Sequence, residues 1–79
     1  MKGYTVLFSI CFELVFRRRD IINFIQSSLP GVRVTSIDLN DRQFTMSVNV
    51  QQYKAGLIED TVAQKGLKIT LLRIEENIL

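Results

Sequence analysis

The chain contains no histidine, and that absence removes more chemistry than any residue present supplies. It excludes histidine-based general acid–base catalysis, Ser-His and Cys-His nucleophile pairs, and zinc sites with imidazole ligands. Cysteine is nearly absent too. Cys11 stands alone, so no internal disulfide forms and nothing points to an oxidising compartment. There is no apolar run long enough to cross a bilayer: the longest, Tyr4 to Phe16, is far short of the roughly 20 residues required and contains Glu13. Lys2 stands alone before that run while the arginines follow it, and no small-residue cleavage site appears, so it does not read as a secretion signal. The expectation is a soluble, cytoplasmic chain with no membrane partner. No glycine-rich phosphate loop, repeat, linker or low-complexity stretch is found.

What is present describes one small folded unit. A chain of 79 residues has room for a single domain, which hides only about 60% of its unfolded surface. An apolar fraction of 47% with 23% charged residues argues against disorder. The net charge of +2 is too small to imply nucleic acid unless it is clustered, and Arg17-Arg18-Arg19 is the one cluster.

Hydrophobic periodicity divides the chain into six elements. Residues 4–16 (YTVLFSICFELVF) alternate with period two and predict a long strand. Val6, Phe8, Ile10, Phe12, Leu14 and Phe16 share its inner face; Thr5, Leu7, Ser9, Cys11, Glu13 and Val15 share the outer one. Over 18–29 the spacing changes to that of a helix, with Ile21, Ile25 and Leu29 four apart, and Pro30-Gly31 ends it. A strand at 32–39 follows, whose inward parity shifts between Val34 and Ile37 and so predicts a bulge near Thr35-Ser36. A turn at Asn40-Asp41-Arg42 leads to a strand at 43–50, making an antiparallel hairpin. Residues 52–65 predict a second helix with Ala55, Ile58 and Val62 inward, Gly56 inside it and Gly66 as its C′ residue. A fourth strand covers 67–74, and residues 75–79 form a short tail. The order β-α-β-β-α-β, with right-handed crossovers and both helices on one face, gives an α+β ferredoxin-like sandwich over 1–79. Its antiparallel sheet would run in the order 4-1-3-2.

The motifs Leu29-Pro30-Gly31-Val32, Ile37-Asp38-Leu39, Phe44-Thr45-Met46-Ser47-Val48 and Gly66-Leu67-Lys68 resemble the heavy-metal-associated domain family, small ferredoxin-like metal carriers. The resemblance covers the last two-thirds of the chain and implies the fold. The family's function rests on a CxxC loop after the first strand, where two thiolates bind a soft metal. This chain has Val15-Phe16-Arg17-Arg18-Arg19 there, and guanidinium groups do not bind a cation. No metal site and no cofactor are expected.

Two features remain as candidate sites. Arg17, Arg18 and Arg19 stand at a helix start, where each cation opposes the macrodipole by about 0.3–1 kcal/mol at low salt. They read either as solvated charge that keeps the protein soluble or as a site for an anionic ligand, since arginine forks bind phosphate and carboxylate. RNA binding is not expected, because the outer faces of the first and third strands hold no aromatic platform and the phenylalanines point inward. That same outer face is the candidate interface: Leu7, Ser9, Cys11, Thr45, Ser47, Asn49 and Leu72. Cys11 itself reads as a small hydrophobe, and the doublets Glu59-Asp60 and Glu75-Glu76 as solubilising charge. The expected function is that of a non-enzymatic interaction or regulatory module. A homo-oligomer formed through the sheet or another protein partner comes first, and an anion- or nucleic-acid-binding module using the arginines is the alternative.

Overall fold

Period two carries the first strand only as far as Ile10. In the computed structural model, which describes residues 2–40 and 42–78, the elements are β1 (Lys2–Ile10), α1 (Phe12–Phe16), α2 (Arg18–Ser28), β2 (Arg33–Leu39), β3 (Phe44–Val50), α3 (Leu57–Ala63) and β4 (Thr70–Ile78). The expected strand over 4–16 is therefore two elements. The cause is non-local. Ile10 faces Phe44, the first residue of β3, and Ser9 faces Thr70, the first of β4, so beyond Ile10 no strand among the described residues remains to pair with. Unpaired backbone groups are costly, and the chain satisfies them by coiling. Val15 N–H donates to Cys11 O at 3.4 Å, and Arg17 N–H to Glu13 O at 3.1 Å. Coiling also changes which residues face inward. Leu14 and Val15 are buried, whereas Phe12 and Phe16 are 60% and 76% exposed. The expectation that every phenylalanine points inward holds for Phe8 and fails for these two.

The four strands form one antiparallel sheet in the order β2-β3-β1-β4, with β1 and β3 central. Val6, Phe8 and Ile10 of β1 and Met46, Val48 and Val50 of β3 line one face. With Leu14, Ile21, Ile25, Ile58 and Val62 from the three helices they make a single buried cluster, so the helices lie on that face. The hairpin elements start one residue later than the periodicity predicts, and the parity shift in β2 is realised as a register break between Val34 and Ser36. In the turn, Asn40 Oδ1 accepts the N–H groups of Arg42 and Gln43 at 3.0 and 2.8 Å. Asp41 lies outside the described residues.

Helix α2 ends at Ser28, one residue before the predicted end, and Gly31 takes φ +85° in the turn that follows. Helix α3 is half the predicted 52–65. Gly56 stands at its N-cap with φ +80°, a left-handed conformation that a helix interior does not contain, so Ala55 is exposed outside the helix. Gly66, φ +79°, closes the turn after α3, but because the C-cap is Gln64 it stands one residue beyond the expected C′ place. The last strand is displaced the other way. Leu67 and Ile69 are buried before it begins, and β4 continues through the expected tail because β1, which starts at Lys2, pairs with it as far as Ile78.

Candidate functional site

The arginine junction is a meeting point of three helices. Arg17 separates α1 from α2 with φ −103° and ψ 19°, and its Nη1 donates to the backbone oxygen of Lys65, just past α3, at 3.2 Å. The same guanidinium lies 3.5 Å from Glu13 Oε2 and 3.7 Å from Asp20 Oδ2; Lys65 Nζ is 3.8 Å from that Asp20 oxygen and 4.6 Å from the centre of the Phe24 ring. Arg18 Nη1 donates to Val15 O at 2.9 Å, closing the last turn of α1. Two of the three guanidiniums thus serve as caps for backbone carbonyls. Arg19 is exposed and has no hydrogen-bond or ion-pair partner among the described residues.

The outer sheet face gathers most of the residues expected to share it. Leu7 faces Ser47, Ser9 faces Thr45 and Thr5 faces Asn49. Thr45 is buried, Leu7, Ser9 and Ser47 are half-buried and Asn49 is exposed. Polar side chains bond across the strands. Asn77 Nδ2 donates to Thr5 Oγ1 at 2.8 Å, and Thr5 Oγ1 donates to Asn49 Oδ1 at 3.0 Å, linking β4, β1 and β3. Thr35 Oγ1 donates to Ser47 O at 3.1 Å, tying β2 to β3. Leu72 lies at the register break between β1 and β4 and is 41% exposed. Cys11 does not belong to the face. It follows the strand, at the N-cap position of α1, and is exposed instead of serving as a small hydrophobe.

Two features escape sequence reasoning. Phe12 and Phe16 stack edge to face, with centroids 4.8 Å apart and planes at 76°, and Phe12 lies 6.1 Å from Phe44. Leu39, across from Phe44 and 59% exposed, extends this aromatic ledge. The available signal was length, because a strand over 4–16 would be about twice the usual five or six residues. The second is Glu59, whose Oε1 is buried with no hydrogen-bond partner among the described residues. Desolvation of the Tyr53 phenol, helped by the Glu59 carboxylate, raises its pKa above the ordinary value.

A groove of about 330 Å³ between α2 and β2 is lined by Arg18, Ile22, Val34, Thr35, Ile37 and Leu39. It pairs no nucleophile with a base. Among the described residues no three cysteine or carboxylate side chains converge as metal ligands, and no helix is long and apolar enough to cross a membrane. Compared with protein-family models, curated proteins and solved structures, the chain matches none significantly.

Proposed function

We propose that the chain is a non-enzymatic, ferredoxin-like association module that binds a second copy of itself through its sheet and acts as a homodimeric regulatory or adaptor unit. The strand order supports the ferredoxin-like reading, since β2-β3-β1-β4 counted from the β4 edge is 4-1-3-2. The observation that carries the association is the uneven cover of the sheet. All three helices pack on one face without covering its β4 edge, where Leu72 and Ile74 stay 41% and 40% exposed. A domain this small has a thin core and gains stability by burying such groups against another copy. That edge also carries both signs of charge, Arg73 and Glu75, held 3.0 Å apart, which makes it complementary to itself. Anion or nucleic-acid binding at Arg17–Arg19 is the weaker reading, because capping contacts hold two of those guanidiniums.

Sedimentation equilibrium across micromolar to millimolar concentrations tests the proposal. The expected result is a concentration-dependent monomer–dimer equilibrium. A mass that stays monomeric throughout the range refutes it.

A further inference from the structure

The two edges of the sheet are built differently. At the β2 edge the register breaks between Val34 and Ser36, and one backbone donor, the Val34 N–H, is taken by Gln26 Oε1 of α2 at 3.0 Å. Bulges and side-chain cover of this kind prevent a strand from recruiting another. The β4 edge has its register shift at Leu72, near its start. From Arg73 to Ile78 it pairs with β1 without interruption, and its other side meets no strand among the described residues. Ile74 faces Val6, which is fully buried, yet Ile74 itself is two-fifths exposed. The helix layer stops short of this edge.

The geometry points to a specific dimer, which rests on the self-association proposed above: β4 pairs antiparallel with β4 of a second copy about a two-fold axis at Ile74, joining two four-stranded sheets into one. Among registers centred from Arg73 to Glu76, within the stretch that pairs with β1 beyond the bulge, charge selects this one. With the axis perpendicular to the sheet, opposed residues must share a face, so the axis lies midway between the two copies of a single residue. Centred on Arg73, the pairing sets two guanidiniums against each other; centred on Glu75 or Glu76, it sets two carboxylates against each other. Centred on Ile74, it sets the two exposed isoleucines side by side and places each Arg73 opposite the other copy's Glu75, on the outer face where both side chains are more than half exposed. Directly opposed cross-strand residues have Cβ atoms about 4.5–5.5 Å apart, close enough for the ion pair within each strand to become a four-charge square.

The test uses R73E and E75R. Each variant alone opposes like charges at two positions, and its dimer dissociation constant should rise about tenfold or more. An equimolar mixture of the two opposes an acidic edge to a basic one and should recover near-native association as a heterodimer. In a C11S background, I74C should form an intermolecular disulfide under mild oxidation, because the axis puts residue 74 opposite its own copy, whereas R73C should not. A wild-type dimer that is indifferent to both charge variants, or a mixture that fails to recover, overturns the β4 register while leaving self-association standing. So does a dimer disrupted by F16D at the aromatic ledge but not by R73E. A wild-type protein that is monomeric throughout overturns both proposals. Circular dichroism melts of each variant exclude loss of fold as the cause of dissociation.

Discussion

Leu14 and Phe16 separate the coiled segment α1 from a strand that continues through it. In an extended chain the two side chains stand on one face, two residues apart, and truncating either would empty the same core. In α1 they diverge, with Leu14 fully buried and Phe16 76% exposed. Leu14→Ala removes buried methyl groups and leaves a cavity, which costs about 2–5 kcal/mol. Phe16→Ala loses the edge-to-face contact with Phe12, worth about 0.5–1.5 kcal/mol, and little else. At about 0.05–0.15 kcal/mol per residue, 79 residues give a total stability of about 4–12 kcal/mol. The first substitution therefore consumes a large part of it. A loss of about 3 kcal/mol lowers the melting temperature by roughly 12–24 °C in a domain of this size. Urea unfolding followed by far-ultraviolet circular dichroism measures both variants, and an unchanged slope with denaturant confirms that the midpoint reports stability. Equal losses for the two variants would refute the coiled assignment, because only a common inward face makes them equivalent.

The arginine series yields a second expectation from the caps. Arg17→Ala, which loses contacts to Lys65 O, Glu13 and Asp20, should cost about 1–2 kcal/mol, and Arg18→Ala somewhat less. Arg19→Ala should stay within about 0.5 kcal/mol, and equal effects at all three positions in chemical denaturation would contradict the caps. Gly56→Ala has a sign that discriminates. Inside a helix the change would stabilise by about 1 kcal/mol, but at φ +80° it should destabilise by about 1–2 kcal/mol. A thermal melt reads the direction, and a rise in melting temperature would place Gly56 within α3.

The legible parts of the fold are those where neighbouring residues carry the whole signal. Strand β3 alternates cleanly, α2 repeats every four residues, and the parity shift in β2 emerges as its bulge. The hidden parts depend on residues far along the chain. Phe12, Leu14 and Phe16 fit a strand by parity, while the spacing of Phe12 and Phe16 also fits a helix. The decision comes from β3 and β4, which end the pairing near Ser9 and Ile10. Likewise Glu75 and Glu76 look like a tail until β1 is seen to reach back to Lys2 and pair with them. The candidate interface was legible wherever the strand register was, so Leu7, Ser9, Thr45, Ser47 and Asn49 share a face and Cys11 does not. The partners of Arg17 were illegible, since Lys65 O lies 48 residues away.

Three cations in a row at the start of α2 look unfavourable if α2 is considered alone, since its dipole presents positive charge there. The same junction is also the C-terminal end of α1, and Lys65, just past α3, lies against it. Those ends present carbonyl oxygens, and Arg17 and Arg18 reach them at 3.2 and 2.9 Å. The local field is thus one that two guanidiniums stabilise, with Glu13 and Asp20 balancing Arg17 further. Two of the three arginines are accounted for by how the helices meet, and Arg19 makes no such contact among the described residues. At the open β4 edge, by contrast, Arg73 and Glu75 set opposite signs on either side of an exposed isoleucine. A run of one sign attracts many anions indiscriminately. An alternation about a central apolar residue is complementary to an antiparallel copy of itself, which is why the dimer proposed above is placed at the β4 edge.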